Sequence, residues 1–168
     1  MKRLQAGILA LLLCIALALP GCGGTQLQET IPTMNLVSGS RKAVIPKFGY
    51  SWNYKGQGEV ADPIHPLDAA ASPDLLPTVG AAAGTVLDME FSLLPDNVSV
   101  TYWPVSENEP DYEGGQPLTA TLTAGHYGIQ TPESPGDVVV LVSTQWSSYQ
   151  DVSGSVSYAF RLTQKRAQ

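Results

Sequence analysis

The stretch Leu87-Asp88-Met89-Glu90-Phe91-Ser92-Leu93 decides the fold, because apolar and polar residues alternate through it without a break. A strand points successive side chains to opposite faces, so this spacing places Leu87, Met89, Phe91 and Leu93 on a core and Asp88, Glu90 and Ser92 in water. Pro95-Asp96-Asn97 follows, and then Val98, Val100 and Tyr102 alternate with Ser99 and Thr101. Two alternating runs flanking a Pro-Asp-Asn cluster predict a β-hairpin.

Working outward, the same period recurs. Leu118, Ala120 and Leu122 alternate with threonines, Val138 to Val142 is a continuous apolar run suited to a central strand, and Val156, Tyr158, Phe160 and Leu162 alternate near the C-terminus. Upstream, Phe48, Tyr50, Trp52 and Tyr54 share one face of a strand whose other face carries Gly49, Ser51 and Asn53. Helical periodicity is absent except for an alanine run from Asp68 to Leu76, which Pro73 limits to about one turn. Short strands punctuated by Gly, Pro and Asp turns predict an all-β, immunoglobulin-like sandwich of two sheets over residues 34–168. Leu122-Thr-Ala-Gly125-His-Tyr127 resembles the tyrosine corner of such sandwiches, whose hydroxyl pins an arch between the sheets.

The N-terminus reads differently. Lys2 and Arg3 precede an apolar stretch from Ile8 to Leu19, too short for a comfortable permanent span and matching the core of a signal peptide over residues 1–21. Leu19-Pro20-Gly21-Cys22 resembles a lipobox, with Pro20 where a small residue is usual. The resemblance implies cleavage before Cys22 and acylation of its thiol. Cysteine arithmetic agrees, since Cys14 lies in the discarded segment and leaves Cys22 alone, with no disulfide partner in an exported chain. Residues 23–33 are polar and Gly-containing, and a coil of about ten residues spans only some 15–20 Å, which keeps the domain near the bilayer. The expected location is the extracytoplasmic face of the cell membrane.

Net charge is −6 for the whole chain and −8 once Lys2 and Arg3 are removed. From Gly56 through Phe160 there is no Lys or Arg, and all but one of the acidic residues lie there. Such a surface repels phosphate backbones and anionic headgroups, so neither nucleic-acid binding nor electrostatic membrane docking is expected. The lipid is left to anchor the protein.

Few motifs carry chemistry. The aromatic face of Phe48, Tyr50, Trp52 and Tyr54 is a candidate ligand platform, with Tyr50, Trp52 and Tyr54 as the binding residues, although alternating aromatics in a sandwich are more often core. His65 and Asp68 lie three positions apart and invite a hydrogen-bonded pair or half a metal site; with only His126 as a second histidine, a structural role is favoured. Glu107, Glu109, Asp111 and Glu113 occupy every second position of one loop, but without the spacing of a calcium-binding loop they read as solvated. Asn97-Val98-Ser99 matches a glycosylation acceptor and, beside a lipobox, reads as a turn. Neither a G-x-S-x-G nucleophile motif nor a metal-ligand spacing occurs, and no catalytic residue, metal or cofactor is expected.

Gly49-Tyr-Ser-Trp52-Asn-Tyr54, Val60-Ala-Asp62, His65-Pro-Leu67-Asp68, Pro95-Asp-Asn-Val-Ser-Val, Trp103, Trp146 and Gly154-Ser-Val-Ser-Tyr-Ala-Phe160 together resemble a family of lipoproteins from Gram-positive bacteria. A related module is similar to the extracellular tail of some BlaR1-like M56 membrane peptidases. The resemblance implies an extracytoplasmic sensing or interaction module that binds an envelope ligand or a membrane-protein partner, and it transfers no active-site residue. Two alternatives are a small envelope hydrolase built on the acidic loop with His65 and Asp68, and a purely structural lipoprotein.

Overall fold

A computed structural model describes residues 31–72, 74–106, 109–134 and 136–165. The signal segment, Cys22, most of the tether and Glu107 lie outside the described residues. Among the described residues there are twelve strands and one short helix: β1 (Met34–Ser38), β2 (Arg41–Ile45), β3 (Lys47–Tyr54), β4 (Gln57–Ala61), α1 (Pro66–Ala70), β5 (Thr78–Ala82), β6 (Val86–Phe91), β7 (Asn97–Pro104), β8 (Gln116–Leu118), β9 (Ala120–Thr123), β10 (His126–Gln130), β11 (Asp137–Trp146) and β12 (Val152–Lys165). They form a two-sheet sandwich. The five-stranded sheet runs β2-β1-β6-β10-β9; the seven-stranded sheet runs β4-β3-β12-β11-β7-β8, with β5 joining the far half of β12 in parallel.

Between the sheets lies a core in which period-two alternation is realised residue by residue. Leu87 and Met89 from β6 are fully buried and meet Val156, Tyr158, Phe160 and Leu162 from β12 in one cluster. Each such side chain contributes on the order of 1.5–3 kcal/mol through burial, so these two strands alone carry a large share of the driving force. The Val138–Val142 run pairs with β12 on one side and β7 on the other, a central position. Its outward-facing Val139 is also buried, because α1 and Leu76 pack over the outer face of the larger sheet with Ala69, Ala159 and Phe48 in a second small core. That accounts for a run apolar on both faces.

Four details depart from the sequence reading. Strands β6 and β7 are not a hairpin: β6 pairs with β1 and β10, β7 pairs with β11 and β8, and Pro95-Asp96 carries the chain from one sheet to the other. Asp96 fixes that crossing by accepting hydrogen bonds from the backbone N–H groups of Ser147 (2.5 Å) and Ser148 (2.8 Å) and from both serine hydroxyls. The Leu118–Leu122 alternation is likewise two strands, β8 and β9, one in each sheet, separated at Thr119. Phe48 leaves the face of Tyr50, Trp52 and Tyr54, because the β12–β3 register slips between Ser157 and Tyr158 and the resulting bulge turns it outward to the α1 side. Finally, residues 122–127 are a tight hairpin within one sheet, with Ala124 at φ 50° and Gly125 at φ 83°, and not an arch. The Tyr127 hydroxyl donates instead to the Pro95 carbonyl 3.4 Å away, so it braces the crossing between β6 and β7.

The fold begins earlier than the tether reading implies. Ile31 and Pro32 are buried, and Ser92 donates from its backbone N–H to the Thr33 carbonyl at 3.0 Å.

Candidate functional sites

Strand β3 puts the aromatics of its candidate ligand face at two different depths. Trp52 is core, 4% exposed, with its ring edge-on to Trp146 at 5.3 Å. Tyr50 and Tyr54 are half-buried and pack against the same core. The Tyr50 hydroxyl donates to Glu59 Oε1 at 2.6 Å, and that hydrogen bond to a carboxylate raises the phenol above its ordinary pKa. Lys47 and Lys55 place their ammonium groups over the Tyr50 and Tyr54 rings, at 5.6 and 4.9 Å. Only these two tyrosines present any edge to a ligand; the indole between them does not.

His65 and Asp68 do not form a dyad. His65 is the N-cap of α1, its Nδ1 accepting the Leu67 backbone N–H at 3.2 Å, while the Asp68 carboxylate accepts the Tyr112 hydroxyl at 2.6 Å. That bond to Asp68 raises the Tyr112 phenol above its ordinary pKa. The His65 ring lies edge-on to both Trp103 (5.2 Å) and Tyr112 (4.8 Å), and the Trp103 indole donates to the Tyr112 carbonyl at 3.2 Å. Thus the acidic loop and the His65 turn, separate in sequence, are one aromatic cluster, with Tyr112 as the joint. Glu109, Asp111 and Glu113 point into solvent around it. Among the described residues no group of three or more His, Cys, Asp or Glu is placed to hold a metal ion.

A concave surface lies elsewhere. The outer face of the five-stranded sheet is a trough of about 970 Å³, walled by Asp88, Glu90, Thr121, Thr123, His126 and Gln130. Its floor is low at Gly128, where a Cβ would press on Val86 at 3.3 Å. Glu90 pairs with Lys42 at 2.6 Å, which holds the Glu90 carboxyl below the usual range. Asp88 and Glu90 are the residues that alternation assigns to water. What local pattern does not reveal is that β6, β10 and β9 are neighbours, which gathers these polar rows onto one face.

His65, Asp68 and the acidic loop do not line this trough. Among the described residues no helix is long and apolar enough to cross a membrane. No protein-family model, curated protein or solved structure matches the chain.

Proposed function

We propose that this protein is a lipid-anchored lipoprotein of the cell envelope, a non-catalytic binding or sensing module held at the extracytoplasmic face of the membrane. The observation that carries the reading is the lipobox-like Leu19-Pro20-Gly21-Cys22 set nine positions before Ile31, the first described residue, which is already buried in the sandwich. So short a spacer holds the domain against the bilayer, where a partner in the envelope meets it. The face offered to that partner is the trough on the five-stranded sheet, a concave surface of about 970 Å³. Its carboxylates at Asp88 and Glu90 favour a neutral or cationic envelope component over nucleic acid.

Mass spectrometry of the N-terminal peptide from membrane fractions tests the anchor. A thioether-linked diacylglyceryl group on Cys22 is the expected finding, with Cys22→Ser releasing the domain from the membrane; a bare thiol on protein shed to the medium would sink the proposal.

A further inference from the structure

Strands β3 and β4 form a hairpin with a two-residue turn, Lys55 at φ 49° and Gly56 at φ 82°. Such a turn makes Tyr54 and Gln57 a hydrogen-bonded pair, and the pairing alternates from there, so Gln57, Glu59 and Ala61 turn their backbone groups toward β3. Gly58 and Val60 turn theirs outward. Strand β4 ends the seven-stranded sheet on this side, and the outward N–H and C=O groups of Gly58 and Val60 have no partner among the described residues.

An open strand edge pairs with another chain unless something blocks it. Strand β2 is guarded by Arg41 and Lys42, and β8 is three residues long with Pro117 at its middle. Strand β4 has five residues, none of them Lys, Arg or Pro, and every residue from Gln57 to Val60 is exposed. Val60 is 64% exposed, and on the same face Gly58 leaves open space, since a Cβ there would meet nothing closer than 3.9 Å.

Glu59 selects the partner. It lies across from Trp52 and accepts the Tyr50 hydroxyl at 2.6 Å through one carboxylate oxygen. The ion pairs among the described residues, Lys42–Glu90 and Arg161–Asp137, leave it out. A second copy pairing symmetrically through Gly58 and Val60 sets Glu59 directly against its counterpart, and like charges so placed destabilise a strand pair. A strand that brings a cation to the same position is favoured instead.

We propose that β4 receives an extended segment of a partner protein by antiparallel strand addition. The segment carries, in order, an aliphatic residue opposite Val60, Lys or Arg opposite Glu59, and an aromatic residue opposite Gly58. Backbone bonds to Gly58 and Val60 supply affinity and the alternating side chains supply selectivity, with the aromatic ring covering the bare glycine. The inference goes beyond the envelope-module reading and stands on β4 alone.

The test uses the full-length chain in detergent and a cyclised hairpin peptide whose free edge strand reads Thr-Val-Lys-Tyr-Thr, with the valine and tyrosine N–H groups outward. Saturable binding by fluorescence anisotropy is expected, with hydrogen exchange slowing across residues 57–61. Methylating the valine and tyrosine nitrogens, or replacing the peptide lysine by glutamate, should raise Kd about tenfold or more, the effect of a lost hydrogen bond or ion pair. Val60→Pro removes an outward donor without touching the β3 ladder and should weaken binding as much at a nearly unchanged thermal midpoint; the methylated peptide makes the same test on the unaltered protein. Glu59→Lys should reverse the preference between the lysine and glutamate peptides. Binding that survives methylation or Val60→Pro, protection that falls on other strands, or no saturable binding overturns the proposal. Light scattering covers the other occupant: a dimer that Val60→Pro dissolves gives β4 to a second copy and leaves the partner segment no place.

Discussion

The Tyr158 hydroxyl donates to the Pro32 carbonyl at 2.8 Å, joining two residues 126 positions apart. Tyr158 is fully buried in the middle of β12, so this one bond ties the first described residues to the longest of the described strands. Burial raises the phenol well above its ordinary pKa, and only the protonated hydroxyl can donate here. Because the folded pKa is the higher one, the contribution is intact below about pH 10 and is lost as pH rises beyond it. Tyr158→Phe leaves a buried carbonyl without its donor and should destabilise the domain by about 1–3 kcal/mol in denaturant titrations. Limited proteolysis should show new cleavage around residues 31–33, and a variant as resistant as the parent would mean that Pro32 is held by other contacts.

Strong acid should weaken the crossing that Asp96 holds. Hydrogen bonds from the Ser148 hydroxyl and from the Ser147 and Ser148 backbone lower its pKa from 3.8 to about 2. A depressed folded-state value means that the stabilisation is full above the unfolded value of 3.8 and disappears as pH falls toward 2. Melting temperatures measured from pH 6 to pH 2 should therefore fall more steeply for the parent than for Asp96→Asn, with the curves converging at the acid end. At pH 6 the variant should melt several degrees lower. Parallel curves would show that the Ser147–Ser148 turn does not depend on the carboxylate charge.

The alternating rows were legible because burial on one face imposes a period of two, and Leu87/Met89 and Val156/Tyr158/Phe160/Leu162 obey it wherever the main core lies. Connectivity was not. Pro95-Asp96-Asn97 suits a hairpin and a sheet-to-sheet crossing equally well, and the choice is made by Ser147, Ser148 and Tyr127, which no local pattern associates with it. Phe48 was misassigned because a bulge is a property of the pairing with β12 rather than of β3 alone. Several residues of the lipoprotein resemblance turn out to pack against one another, Trp52 on Trp146 and His65 on Trp103, and Gly49 lies under Pro63, which is outside those motifs. These contacts are packing contacts, whereas the trough is assembled from threonines, carboxylates and aliphatics that carry no motif.

The contact between Gly49 and Pro63 should control the segment that covers the larger sheet. A Cβ at Gly49 would fall 2.5 Å from the Pro63 ring, so Gly49→Ala has to push residues 62–64 away from β3. That loosens α1 and the small core of Ala69, Leu76 and Phe48 while leaving the main core intact. Hydrogen exchange should rise across residues 62–77 with little change in β12. Adding Pro63→Ala makes room and should recover part of the protection, a coupling that a double-mutant cycle measures. Strictly additive effects would indicate that the two residues do not share the strain.

Gly154 leaves no room for a side chain. It pairs with Trp52 across β12 and β3 at φ 142°, and a Cβ there would lie 2.1 Å from the Ser51 carbonyl oxygen and 2.9 Å from the Trp52 Cα. Both neighbours are backbone, so no side chain can swing aside; the strands must part, and with them the Trp52–Trp146 contact that closes this end of the core. Gly154→Ala should cost more than about 3 kcal/mol, through an unfavourable backbone conformation and a steric clash acting together. Gly58 in β4 is the matched control, since its nearest neighbours to an added Cβ stand at 3.9 Å. Gly58→Ala should change stability by no more than about 0.5 kcal/mol, as surface substitutions generally do. Equal unfolding midpoints for the two variants in denaturant would mean that β3 can yield at Ser51, and that the Trp52 pairing is softer than its geometry indicates.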